Sequence, residues 1–405
     1  MRIPRAVLAG WLAASAIFAA TSSLAGEPFK VLHAFAGPPE GSRPYAGLVA
    51  APDGSLYGTT GEGGTGTRCL DQGCGTIFRT KPNGATTVLH SFDNVTDGSA
   101  PLAGLLLASD GNFYGTTYIG GPLVGGTLFR ISPKGKFKLL HTFQRAGVGG
   151  AGPSGELAEG PDGAIYGTTN EGGAGTSSNC FVDHEGCGTV FKYTGKSGVE
   201  VLHSFSGEGG DGAFPSGSLL MAKDGNLYGT TYGGGAQQHG TLYRITPSGV
   251  MTVLHQFDLA TGANPQGGLV QVADGALYGT TFIGGSKSGG TVFRITTAGE
   301  YSLVHEFDYD QGDNGPLGTL VVGPRKLLYG VLFYGGDLAH CWMGCGSVYS
   351  VSTGGEFARL HVFSGGDADG LWPSDGLARL GDKKLVGMTQ RGGTQGAGVI
   401  YTINP

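Results

Sequence analysis

Basic residues are scarce in this chain, 25 Lys and Arg against 31 Asp and Glu, and they are scattered instead of clustered. That excludes a charged stripe for nucleic acid or an anionic membrane surface. Beyond the first two dozen residues there is no apolar run long enough to span a bilayer. No nucleophile elbow, phosphate-cradling glycine loop or zinc-protease signature occurs in the linear sequence. Their absence excludes little, because a repeat fold gathers its chemistry one or two residues per unit.

The opening segment does have a recognisable plan. Arg2 and Arg5 precede the apolar stretch from Val7 to Ala20, and Ser23-Leu24-Ala25 leads into Gly26. This is the layout of a cleavable secretory signal, here residues 1–25, and no Cys stands at the cleavage point as a lipoprotein would need. The expected product is a secreted or periplasmic monomer without a membrane span. Its net charge of −6 becomes more negative by two when the signal arginines leave.

Glycine is abundant, 81 of 405 residues, with 19 prolines. An aperiodic chain of that composition would be disordered. Here the glycines recur at fixed places, which points to many short strands and tight turns. Leu56-Tyr57-Gly58-Thr59-Thr60 returns with Tyr114, Tyr166, Tyr228, Tyr278 and Tyr329, and in altered form at Leu385–Thr389. Leu-His-x-Phe and its close variants carry His33, His90, His141, His203, His255, His305 and His361. Pro followed four residues later by Leu occurs at Pro44, Pro101, Pro153, Pro215, Pro265, Pro316 and Pro373.

The three counts agree on seven units. Each reads as a Pro-x-x-x-Leu strand, a turn, the Tyr-Gly-Thr-Thr strand, a Gly-Gly doublet with a variable loop, a Gly-Thr-x-Phe strand and the Leu-His-x-Phe strand. A four-stranded meander cannot bury both faces alone, and radial stacking of like sheets solves that. The prediction is an all-β, seven-bladed β-propeller of four-stranded antiparallel blades filling residues 26–405. Phe29–Phe35 is a lone fourth strand and Val399–Ile403 a third strand with nothing after it. The N-terminal strand is therefore expected to complete the last blade and close the ring.

Asp224-Gly225-Asn226-Leu227-Tyr228-Gly229-Thr230-Thr231-Tyr232-Gly233-Gly234, followed by Gly240-Thr241-Leu242-Tyr243-Arg244-Ile245, resembles the units of the GloVer-type tandem-repeat proteins, also called choice-of-anchor proteins. The resemblance covers almost all of the chain after the signal and implies an exported bacterial propeller. The sequence stops at Pro405 with no anchor, a departure from that pattern. The Gly-Gly doublet is more loosely similar to Kelch-type propellers, a fold that hosts many functions.

Residues repeated once per blade are expected to be scaffold. The seven histidines are read as satisfying buried backbone or hydroxyl groups between blades. Informative residues are those that break the repeat, in the doublet loop and the loop before Pro, both of which should lie on one face. All six cysteines fall in doublet loops, and local pairs are expected: Cys69 with Cys74, Cys180 with Cys187, Cys341 with Cys345. Their spacing suits zinc poorly.

Aromatic residues at this face are candidate ligand contacts: Trp342 and Trp372, with Tyr118, Tyr232, Phe282 and Phe333 directly after the Thr-Thr position. Packing between neighbouring loops is the alternative for these rings. Asp367, Asp369 and Asp375 are candidate hydrogen-bonding partners. Three histidines outside the repeat, His184, His239 and His340, occupy doublet loops, with His340 the candidate for ligand contact. No cofactor is evident, although Asp308-x-Asp310-x-x-Asp313-Asn314-Gly315 and Asp93-Asn94-x-x-Asp97-Gly98 loosely resemble calcium loops without EF-hand spacing. Two functions fit. One is a binding module for a glycan, peptide or surface partner. The other is a propeller hydrolase or lyase at the channel mouth, using residues such as Asp183, Glu185 and His340.

Overall fold

The computed structural model describes residues 29–405 apart from 67, 70, 71, 146, 176–179 and 181–185. The expected signal segment, and Asp183, His184 and Glu185, lie outside the described residues. Seven antiparallel sheets form the blades of a ring, and an eighth, two-stranded sheet pairs Gly212–Ala213 with Gly233–Gly234. Blade 1 consists of Val49–Ala50, Leu56–Thr60, Thr76–Thr80 and Thr86–Ser91. Blades 2 to 6 span 106–144, 158–204, 220–256, 270–308 and 313–362. Blade 7 spans 370–403 and takes Lys30–Ala34 as its outermost strand, pairing Lys30 with Thr402 and Ala34 with Val399. The ring closes as expected.

The repeated residues each have a physical task. The glycine of Tyr-Gly-Thr-Thr lies beneath the aromatic ring of the neighbouring strand, and a Cβ at Gly115 or Gly279 would stand 2.6 Å from Cζ of Phe129 or Phe293. The second Thr shares a 2.8–2.9 Å hydrogen bond with the Thr of Gly-Thr-x-Phe in blades 1 to 5, stitching second strand to third. The first Thr can reach the next blade, as Thr59 Oγ1 donates to the Ala103 carbonyl at 3.3 Å. The Tyr hydroxyl reaches the turn aspartate in two blades, Tyr114 to Asp110 and Tyr228 to Asp224.

Two expectations need correcting. The histidines meet the role expected of them only in part: His305 bonds the backbone of Gly355 in the next blade, whereas four stand beside carboxylates from the loop that follows, His33 with Glu40, His90 with Asp97, His203 with Asp211 and His361 with Asp369, at 2.8–3.3 Å. Several imidazoles also stack on a ring in the next blade's outer strand, such as His90 on Phe137, His255 on Tyr301 and His361 on Phe29, with centroids 3.8–3.9 Å apart. His141, His255 and His305 are pushed toward the neutral form by burial. The second correction concerns Pro-x-x-x-Leu, which is mostly not a strand. In blade 1 pairing begins only at Val49, after Leu48. The segment turns to the ring axis and spends its polar groups on other blades, as when Gly268 N–H donates to Thr319 Oγ1 at 3.0 Å. Blade 6 differs, with one continuous strand over Asp313–Val322.

Packing between blades repeats as well. Each repeat proline lies against the glycine of the preceding blade's Gly-Thr strand, including Pro44 against Gly398 across the closure. All seven of these glycines have φ of 89–100°, a left-handed conformation that side chains disfavour.

Gly279→Ala should destabilise the fold by about 1–3 kcal/mol through overpacking against Phe293, measured by urea unfolding. Deleting residues 27–36 removes the closing strand and the Phe29 stack, and should abolish the cooperative melt or lower it steeply. An unchanged melting temperature would show that closure contributes nothing.

Candidate functional site

The doublet loop and the loop before Pro do share a face. Bridges between them recur as Ser42 with Glu62, Ser99 with Ile119, Ala151 with Glu171 and Ala263 with Ile283. In blade 4 the same contact lengthens to Gly212–Ala213 paired with Gly233–Gly234.

At the centre of this face the residue before each proline is left-handed. Arg43, Ala100, Gly152, Phe214, Asn264, Gly315 and Trp372 have φ between 50° and 66°. A residue before proline is disfavoured in helical conformations, so something must impose it. Hydrogen bonds on both sides do. The Phe214 N–H donates to the Cys187 carbonyl of the preceding blade at 2.8 Å, and its own carbonyl accepts from Tyr232 N–H at 3.0 Å. Ala100 and Trp372 donate in the same way to Cys74 and Cys345. The disulfides form as expected, Cys69–Cys74, Cys180–Cys187 and Cys341–Cys345. The second cysteine of each bridge thus holds a mouth residue of the next blade as well as its own loop.

The aromatic candidates separate into groups. Phe333 and Trp372 stack with centroids 6.1 Å apart, and the Arg391 guanidinium lies 5.6 Å from the Trp372 ring centre. Phe282 and Trp342 instead line a cleft of about 570 Å³ between blades 5 and 6, with Tyr309, Tyr334, Leu338 and Met343. Phe282 and Tyr334 meet edge to face at 6.2 Å. Trp342, on the Cys341–Cys345 loop, is 94% exposed. Tyr232 stands apart on blade 4, beside Phe214. His340 shares the Trp342 loop, where its Nδ1 lies 2.6 Å from Asp337. That hydrogen bond holds the Asp337 carboxyl below its usual range.

The acidic loops have internal partners. Asp308 accepts from the Asp310 and Gln311 N–H groups, Asp313 takes Arg359 at 2.6 Å, and Asp97 takes His90. Asp369 accepts from Ser364 and lies beside His361. Among the described residues no three His, Cys, Asp or Glu side chains stand together as a metal site.

Asp375 has a different setting, the central channel. Tyr45, Ala103, Ser154, Ser216, Gln266, Leu317 and Ser374, one from each blade, line a chamber of about 130 Å³ there. A second chamber of about 230 Å³ lies alongside, and Glu156 and Asp375 line both. The Asp375 carboxylate accepts the N–H of Gly47 at 2.9 Å across the closure and that of Gly376 at 2.6 Å. The Glu156 carboxyl extends over Gly104, and a Cβ on Gly47 would lie 3.3 Å from Glu156 Oε1 and 3.5 Å from Asp375 Oδ2. Burial and then the Asp375 charge push Glu156 up to about 8. Burial also raises Asp375, against the N–H groups that favour its ionised form.

Glu156 was not singled out from the sequence, yet a signal exists. It stands three residues after Pro153, where the other units have Gly, Ser or Thr. Asp375 likewise replaces the Ala or Gly found two residues after the other prolines. Tyr309, Tyr334 and Met343 lie outside any repeated thread and carried no comparable signal.

Fold and site together define a seven-bladed β-propeller with an aromatic cleft on its loop-bearing face. A family model described as the Gloeobacter/Verrucomicrobia repeat matches residues 14–181 and 181–343, and the chain belongs to that family. No curated protein matches it. Among solved structures, the extracellular domain named as that of a hybrid two component system from B. thetaiotaomicron is similar at a TM-score of 0.57 and 12% identity. That match covers 93% of this chain, which spans 41% of the other. A protein of unknown function from Dyadobacter fermentans is similar at 0.52 and 11%, covering 94% of this chain and 99% of the other. The periplasmic gluconolactonase of Pseudomonas aeruginosa is similar at 0.51 and 15%, covering 79% and 85%. At these identities the likeness is one of fold.

The raised proton affinity of Glu156 sets a pH dependence. A carboxyl raised on folding leaves stability intact below its unfolded value and erodes it as pH climbs toward the folded one, here from about 4.5 to about 8. Glu156→Gln removes the ionisation. Its melting temperature should match the parent at about pH 5 and exceed it by several degrees at about pH 9, each tenfold change in proton affinity being worth about 1.4 kcal/mol. Parallel melting curves across that range would refute the assignment.

Proposed function

We propose that this chain is an exported binding module that engages its partner through the loop-bearing face, at the cleft between blades 5 and 6. The observation that carries the reading is Trp342. A large aromatic ring almost wholly in water, on a disulfide-anchored loop in a cleft with three other aromatic residues, has no packing task in the ring. Large exposed apolar side chains that cluster mark interaction sites. Ile283, Tyr309, Leu338 and Met343 are exposed around the same cleft. Its volume of about 570 Å³ falls within the usual range for ligand sites, roughly 300–1,000 Å³. The signal-like N-terminus and the three bridges support export.

A second reading, a hydrolase or lyase at the channel, draws on the Glu156–Asp375 pair. Two carboxyls with shifted proton affinity in one place suit acid–base chemistry. Size weighs against it. Chambers of about 130 and 230 Å³ fall below the volume of ordinary substrate sites. The pair also has a structural task, since Asp375 joins blade 7 to blade 1.

After signal removal the chain holds only Trp342 and Trp372, so tryptophan emission reports on this face. Titration with cello-, xylo- and chito-oligosaccharides and short aromatic peptides should find a ligand that shifts the emission. Trp342→Ala should bind it at least about tenfold more weakly, with an unchanged melting temperature. Equal binding by parent and variant would sink the assignment of the site.

A further inference from the structure

We infer that the cleft between blades 5 and 6 is built for an alkylated ammonium group, a cation of the choline or methylated-amine class. The inference rests on the reading of this cleft as the binding site and names its ligand.

The walls are aromatic and soft: Phe282, Tyr309, Tyr334, Trp342 and Met343, with no charged side chain among the lining residues. Hydrogen-bonding side chains in the lining, apart from the two tyrosine hydroxyls and the Trp342 indole N–H, come down to Ser288 and Asn314. A sugar presents hydroxyls around its whole edge and would leave most of them unpaired here. A primary ammonium is strongly hydrated and needs acceptors for its three N–H donors. A quaternary or fully methylated ammonium has no N–H to satisfy. Its charge lies under a methyl skin that packs against rings and thioether, and the ring faces attract it.

The charge around the cleft has the matching sign. Asp308, Asp310 and Asp313 lie in the segment that supplies Tyr309 and Asn314, and Asp337 precedes Leu338. Nearby cations are engaged: Lys287 Nζ lies 3.5 Å from Asp308, Arg359 Nε 2.6 Å from Asp313, and His340 is held by Asp337. Four carboxylates against two permanent cations leave a negative surplus among the charged groups of these flanking segments. A purely apolar ligand would gain nothing from that surplus, whereas an alkylated cation gains from both the rings and the charge.

The test is isothermal titration calorimetry of the mature, oxidised protein with choline, tetramethylammonium and 3,3-dimethylbutan-1-ol, the uncharged carbon isostere of choline. The expected result is choline binding at least about tenfold tighter than the isostere, weakening with added salt. Trp342→Ala should lose at least about tenfold, and Trp342→Phe, which keeps a π-face, should recover part of it. Isostere binding as tight as choline would overturn the cationic class while leaving the cleft as the site. Silence of choline and tetramethylammonium, with an oligosaccharide or peptide that depends on Trp342, would overturn the inference and keep the binding reading. Choline binding unaffected by Trp342→Ala would place the cation elsewhere and overturn the inference too.

Discussion

A proline ring lying on a left-handed glycine of the preceding blade is the contact on which the rest of this propeller depends. It occurs seven times, and a Cβ on any of these glycines would stand only 2.5–2.9 Å from the proline Cδ. Only glycine fits both the backbone conformation and the space. The contact sets blade spacing. It also aims the functional face, because the residue before each proline is pinned to the carbonyl just before that glycine, as Trp372 is to Cys345. Ring geometry and mouth geometry therefore have one origin.

Around that contact the repeated polar residues are occupied with one another. Threonine hydroxyls bond threonine hydroxyls, histidines stand beside loop carboxylates or stack on the next blade, and the turn aspartates hold tyrosine or arginine. Little of the repeat is left over for a ligand. Two places break the pattern in opposite ways. In the channel, Glu156 and Asp375 put two carboxyls into a narrow, buried setting, where desolvation raises the proton affinity of both. On the rim, blades 5 and 6 leave a roomy cleft with rings in water and its charge at the margin. The first costs stability at high pH and helps to join the closure. In the second, Phe282 and Tyr334 pack on each other but Trp342 is left in water, which is why the cleft carries the functional reading.

Much of this was legible beforehand, for a definite reason. Blade number, four-strand order, closure by the N-terminal strand and the shared face of the long loops follow from counting a periodic pattern, and they hold. So do the cysteine pairs, since partners four to seven residues apart in one loop have little choice. Less legible were the partners of repeated residues. A histidine in Leu-His-x-Phe gives no hint that its carboxylate comes seven or eight residues later, or that a ring such as Tyr301 will lie on its face. Pro-x-x-x-Leu reads as a strand because it ends in one. Its polar groups go to neighbouring blades, a requirement invisible in a single unit.

By itself, the sequence determined the propeller, because each unit repeats the same local instructions and seven copies close only one way. It also marked the positions that depart from the repeat, Glu156, Asp375, Trp342 and Trp372 among them. Which departures meet was decided by the tertiary structure alone. Phe333 went to Trp372 and Phe282 to the cleft beside Trp342, although both phenylalanines hold the same place in the repeat. Glu156 and Asp375, more than two hundred residues apart, were brought over one glycine by the curvature of the ring. Loops of unequal length on a rigid ring reach different neighbours, and reach is a property of three dimensions.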